Sequence, residues 1–455
     1  MAEQLHMPPP SPAPSFTANP DERAAPATGA APAPPAPGAP GRVRVISWAA
    51  RARREAGPIG WAAFLASSWT WCIGMFLPVL MIRDYGGWGW AVFALPNVLG
   101  AAAMGWVLRD AAASRTAQDA HGAACRWFSL VTIAFHAYFL LALIPSLIGD
   151  IFVGLALAVI PLVAILWGRG GRRAPLTGAL VLALSVLAML GYLALQGLPH
   201  ASTPAKPRLD LLWLGPVCAF GFALCPYLDL TFHRARQSCT RAGGKTAFGV
   251  GFGVFFLLMI VFTALYAQPL AGALRGTSHY SVRSDLFVGV LAVHLGTQAA
   301  FTVVAHAAAV RDAAGCDAGG WWLRAFATTV GIVALALLCR WTVDRYAVYR
   351  GLWGQRLATS ELIYRLFMAF YGLVFPTYAW LFMVPSLRRR RPVAAQPPRP
   401  ATVIFFGGVL VLAAPGFWLG FIEGRMVWLV PALALVLVSR ALLPKGPPIV
   451  EPVTE

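Results

Sequence analysis

Asp229 is the one carboxylate set well inside an apolar run of this chain, in CAFGFALCPYLDLTFHRARQ (218–237). A carboxylate in a bilayer is costly unless it is paired or acts on an ion, which makes it the first candidate for chemistry. Two partners lie close by in sequence: His233 at i+4 and Arg234 just beyond it. Otherwise it serves as a coupling or gating acid, and the basic stretch that follows places it toward the cytoplasmic mouth of its span. His136 (in IAFHAYF), His294 and His306 are further ionisable groups in apolar runs. Each is a hydrogen-bonded packing residue, a proton relay or a haem ligand. His294 and His306 are more than three helical turns apart and cannot share one metal, whereas His136 and His294 on two helices could hold a haem between them. Gln298 stands one turn from His294 on the same face and forms a polar stripe with it. Trp69 and Trp71 flank Thr70 and either stack on an organic solute or pack the interior. Glu361 and Arg365 are spaced as an i,i+4 interfacial ion pair. The soluble-type motifs GxSxG, HExxH and GxxxxGKS are absent from the sequence.

These residues sit in a chain that is 58% hydrophobic and only 12% charged. So little polar surface could not cover a globule of 455 residues in water. Apolar runs near the ~20 residues that cross a bilayer recur along it, which predicts an all-α polytopic membrane protein. Twelve transmembrane spans are expected, at 58–82, 87–108, 127–147, 151–168, 175–198, 211–232, 246–268, 284–310, 321–339, 362–385, 402–422 and 426–443. Residues 1–41, rich in Pro and Ala, read as a disordered tail; 42–443 form the membrane domain and 444–455 a short second tail. The net charge of +18 comes from arginines in loops between spans, so topology accounts for it and nucleic-acid binding is not expected. Loops on one side carry twenty-one Lys and Arg against ten on the other, which puts both termini in the cytoplasm of an inner (plasma) membrane. The exception is RWTVDRYAVYRGLWGQRLATSE (340–361), expected as a helix lying on the outer membrane surface or as a binding lid. The seven cysteines show no CxxC pair, and no metal cofactor is expected.

Helix breakers cluster in two spans. The first has Gly74 and Pro78 at mid-length after Ser67, Ser68 and Thr70; the sixth has Gly215, Pro216, Gly221 and Pro226. Proline removes a backbone donor and frees carbonyls, which a membrane tolerates only against protein or a water-filled cavity. If 58–198 and 211–385 are two five-span halves, with 402–443 two extra helices, these spans correspond. Interrupted helices at matching positions point to the site of a secondary transporter. An odd number of spans per half makes the second half inverted.

This arrangement resembles the leucine-transporter-type fold of 5+5 inverted repeats followed by two helices. Within it, DLTFHRARQSCTRAGGKTAFGVGFG (229–253) is similar to the sodium/solute symporters, with His233-Arg234 where that family has Gln-Arg. WTWCIGMFLP and GWGWAVFALPNVLGAAAMGW match in spacing and glycines. The resemblance implies a solute held at the breaks, by Trp69, Thr70, Trp71, Gly74, Phe220, Gly221 and Cys225, with His294 and Gln298 facing the cavity. It also implies a sodium site between the first and eighth spans. Thr297 offers one hydroxyl for that site, Ala300 and Phe301 offer none, and Thr302 lies further round the helix; sodium and proton coupling both stay open, with Asp229 the coupling acid. The expected partners are the lipid bilayer and a small organic solute. A membrane-embedded enzyme or redox subunit, and a transport-incompetent sensor of the same fold, are the alternatives.

Overall fold

The computed structural model describes residues 57–149, 151–168, 171, 173–199, 204–274, 283–313, 321–345, 348–388 and 400–443. Both expected tails lie outside these residues.

Helices dominate, because an apolar run that makes all its backbone hydrogen bonds internally is the cheapest way through a hydrocarbon layer. In chain order they are α1 (Gly57–Trp69), α2 (Cys72–Val107), α3 (Ala111–Ala120), α4 (Gly122–Ile148), α5 (Ile151–Trp167), α6 (Ala174–Gln196), α7 (Asp210–Leu224) and α8 (Leu230–Ser238). They continue with α9 (Arg241–Leu274), α10 (Arg283–Ala313), α11 (Trp321–Arg345), α12 (Thr359–Leu387), α13 (Pro400–Ile422) and α14 (Met426–Leu442). Among the described residues, eight helical segments are long and apolar enough to cross a membrane. The chain is an all-α integral membrane protein. Leu162, Ile165, Leu187, Ile404, Val411 and Leu412 point outward, as side chains facing lipid do. The interior is rich in aromatic rings, with Trp71, Phe128, Phe135, Tyr364 and Tyr371 among its buried members.

Gly86 divides α2 into two arms. Its φ of +66° with ψ −153° is open to glycine and strained for other residues. The chain doubles back there: Gly89 comes against the Met81 carbonyl, eight residues earlier, where a continuous helix would hold them about 12 Å apart.

The surface helix expected over 340–361 does not form. α11 runs on to Arg345, and Val348–Arg350 then pairs antiparallel with Arg356–Ala358, Tyr349 opposite Leu357. Alternation of arginine with aromatic residues has the two-residue period of a strand, and that period prevails. Glu423 pins the hairpin, accepting from Tyr349 Oη at 2.7 Å and from the Leu352 amide at 2.8 Å.

Candidate functional site

α1 ends at Trp69 and α2 begins at Cys72, so the first interruption is at Thr70 and Trp71. Trp71 is extended, with φ −79° and ψ 175°. Side chains add hydrogen bonds to the backbone around the break. Ser68 Oγ donates to the Leu65 carbonyl at 3.1 Å, Thr70 Oγ1 to the Ala66 carbonyl at 2.8 Å, and the Trp71 indole to the Ser68 carbonyl. Hydroxyls that bond to nearby backbone compete with the helix in this way. The orphan Cys72 amide is taken by His136 Nε2 at 3.2 Å, while His136 Nδ1 lies 2.7 Å from the Thr132 carbonyl. A carbonyl can only accept and an amide can only donate, so the imidazole is neutral with its proton on Nδ1. Both nitrogens are engaged, and His136 does not serve as the haem ligand considered above.

The second interruption lies between α7 and α8. Cys225–Leu228 tighten into a 3₁₀ turn, and Asp229 is extended, with φ −78° and ψ 111°. Asp229 caps α8: its Oδ1 accepts from the Thr231 amide and from Thr231 Oγ1, each at 2.7 Å. Neither expected partner pairs with it. His233 bonds Ser114 Oγ at 2.8 Å and the Tyr227 carbonyl at 2.9 Å, and Arg234 pairs with Asp312 at 2.9 Å. The helix restarts at Leu230, so the capping carboxylate turns back over the first turn and the i,i+4 geometry does not apply. Asp229 is fully buried within the break.

The two interruptions face one cavity of about 10 Å³, lined by Trp69, Trp71, Ile73, Gly74, Asn97, Phe222, Cys225 and Tyr371. That is room for about one water molecule. Trp69 and Trp71 sit with ring centres 4.3 Å apart, and the Trp69 indole donates to Asn97 Oδ1 at 2.6 Å. Tyr371 lies in a π-turn of α12, a distortion common at functional sites. Its carbonyl accepts from the Cys225 thiol at 3.4 Å, and its hydroxyl bonds Thr132 Oγ1 at 3.0 Å. Gly221 lets α7 close on the same carbonyl, since a Cβ there would lie 2.7 Å from it.

Phe222 and Tyr371 also line a larger cavity of about 70 Å³, together with Leu77, Met81, Leu214, Cys218, Tyr364 and Met368. Asp84, Tyr85 and Arg365 give it a polar end. There Arg83 grips Glu361 with two bonds of 2.7 and 2.8 Å, Arg365 bonds Glu361 at 2.6 Å, and Arg83 and Lys206 hold Asp84 at 2.7 and 3.1 Å. The Glu361–Arg365 pair is buried, not interfacial. Lys206, in the connection before α7, has its pKa lowered by burial, against the pull of Asp84.

Of the residues singled out in the sequence, Trp69, Trp71, Gly74 and Cys225 line the shared cavity. Thr70 is buried beside it with its hydroxyl turned into α1, and Gly221 lines the larger cavity. Phe220 packs toward Trp380, and its neighbour Phe222 faces the cavity instead. His294 and Gln298 lie elsewhere: His294 against Phe262, ring centres 4.6 Å apart, and Gln298 on Ser185 Oγ at 2.9 Å. Thr297 and Thr302 donate to carbonyls of their own helix, Val293 at 2.7 Å and Gln298 at 3.0 Å. Asn97, Phe222 and Tyr371 carry no motif and enter the site through tertiary contacts, Asn97 and Tyr371 by hydrogen bonds and Phe222 by packing.

No protein-family model matches this sequence, and neither a curated protein nor a solved structure matches the chain.

Proposed function

We propose that this chain is a secondary transporter that moves a small organic solute across a membrane by alternating access. The observation that carries it is the pair of interrupted helices whose breaks line one cavity. Interrupted helices in a membrane site offer polar backbone to a solute where lipid cannot reach. On this reading the chain crosses twelve times, with α1 and the first arm of α2 as span one and α7 with α8 as span six. Part of the packing fits a shift of five spans on this numbering. Span one meets spans five and seven, and span six meets ten and two; span three meets eight and nine, and span eight meets three and four. Those contacts favour two five-span halves followed by two further helices, and the loop charge asymmetry favours both termini in the cytoplasm of an inner membrane.

The cavity offers indole and phenol rings, a phenylalanine and the Asn97 amide, and among the described residues no charged side chain lines it. It suits an uncharged solute with a flat apolar face. At about 10 Å³ it is too small for such a solute, so on this reading binding moves Phe222 and Tyr371 toward the larger cavity, which they also line.

Reconstitution into liposomes tests this, with counterflow and gradient-driven uptake scored over a panel of labelled organic solutes. Saturable uptake of at least one is expected, reduced roughly tenfold by Trp71→Ala, the equivalent of about 1.4 kcal/mol of lost ring contact. A chain that neither binds nor moves any solute of the panel is not a transporter of this kind.

A further inference from the structure

His306 on α10 and Asp229 in the second break face each other with both side chains fully buried. His306 Nε2 lies 3.9 Å from Asp229 Oδ2, and neither atom has a hydrogen-bond partner among the described residues. Their other polar atoms are occupied. Asp229 Oδ1 holds Thr231, and His306 Nδ1 lies 3.0 Å from Ser129 Oγ on α4. A buried polar atom without a partner costs roughly 1–3 kcal/mol. Two of them aimed at each other make an arrangement that one proton and a small closure would satisfy.

We propose that Asp229 and His306 form a proton-binding pair that gains and loses one exchangeable proton, and that this exchange sets whether the bundle is sealed or open to water. The pair itself follows from this geometry; its link to opening rests on the transporter function above. With the proton bound, Asp229 Oδ2–H donates to Nε2, Nδ1–H donates to Ser129 Oγ, and the pair is neutral. When the proton leaves to water, the imidazole shifts tautomer. Nε2–H then donates to the carboxylate and the Ser129 hydroxyl donates to Nδ1. A hydroxyl serves as donor or acceptor by rotation, so Ser129 satisfies both states. The deprotonated pair carries one negative charge, which a dry interior penalises heavily and water stabilises. Loss of the proton therefore favours a bundle open on one side, and its return permits closure. Trp71, whose ring centre is 5.5 Å from that of His306, joins the pair to the solute cavity.

The titratable groups around the pair are Cys125 and His136 from α4, Cys225 in the break and Tyr371 from α12. His136 is fixed as neutral by its two hydrogen bonds. Among the described residues no Lys or Arg lies within ion-pair distance of Asp229. A hard metal cation would need several oxygen ligands, and the Thr297 and Thr302 hydroxyls are turned to their own helix.

Infrared titration of the full chain in lipid nanodiscs, with no solute added, tests the pair directly. A protonated-carboxyl stretching band is expected that disappears in Asp229→Asn. In His306→Gln, where one partner no longer titrates, its midpoint should move by roughly one pH unit or more. If Asp229→Asn does not fold, Asp229→Glu should shift the band instead. A band that survives Asp229→Asn, or a midpoint unchanged in His306→Gln, overturns the proposal. The liposome assay is separate. Uptake with no exchangeable proton sinks this pair alone, and an exchangeable proton with no uptake sinks the transporter function and the link to opening with it.

Discussion

Three histidines in this protein do three different jobs, and their partners decide which. His136 is locked by a donor and an acceptor and holds the first helix break in place. His306 has one nitrogen engaged and one aimed at a buried carboxylate. His121, outside the membrane spans, ties α3 to α12 through Tyr378 Oη at 3.1 Å and Ser386 Oγ at 2.9 Å, and burial pushes its pKa down from 6.5 to about 4. The folded chain thus holds that proton less tightly than the unfolded chain. Its stabilising contribution is full above pH about 6.5 and is lost as the pH falls toward about 4, on the order of 2–3 kcal/mol in all. Unfolding midpoints of the reconstituted protein across that range should fall less steeply in His121→Gln. Equal slopes would show that His121 titrates alike in both states.

At the scale of the helix, proline and the actual interruption are distinct. Pro78 has no amide hydrogen, so the Gly74 carbonyl four residues earlier loses its helical donor. Thr263 Oγ1, from α9, donates to it at 2.9 Å, and Tyr266 Oη donates to the neighbouring Met75 carbonyl at 2.8 Å. With that substitute in place the helix continues through Pro78 and gives way instead at Thr70 and Trp71. Thr263→Val should cost about 1–2 kcal/mol by stranding the carbonyl. In a Pro78→Ala background the same change should cost clearly less, since the backbone then regains the missing amide; equal costs in both backgrounds would refute the exchange. Breakers in the sequence thus marked which spans are interrupted; the first interruption stands a few residues before Gly74 and Pro78, at 70–71, and the second, at 225–229, overlaps the end of the Gly221 to Pro226 stretch. The offset arises because donors from other helices, Thr263 and His136 above all, choose where the backbone gives way. The same limit hid His306 as the neighbour of Asp229, and Ser129 as that of His306. Partners proposed from sequence were the nearest along the chain, and a capping carboxylate turns away from its own helix.

Across the whole molecule, two arginines, one lysine and two carboxylates close the polar end of the larger cavity. Arg83 and Asp84 belong to α2, Lys206 to the connection before α7, and Glu361 and Arg365 to α12, so three separate parts of the chain are clasped at one point. Arg365 also donates to the Phe421 carbonyl at 2.7 Å, which brings α13 into the clasp. Glu361 is its centre, since it alone meets both guanidinium groups in two-bonded or short contact. Removing one partner of a buried ion pair strands the other, at about 3 kcal/mol or more. Glu361→Gln should therefore lower thermal stability and also free this end of the bundle to open. Cys218 lines the cavity just beneath and is buried, which makes it a native reporter. In a chain whose other cysteines are replaced, Glu361→Gln should speed its reaction with a membrane-impermeant maleimide several-fold, and only from one side of the membrane. On the topology proposed above that side is the outer one. Labelling at an unchanged rate would mean that the clasp stabilises the fold without gating the cavity, and labelling from the cytoplasmic side would reverse the topology.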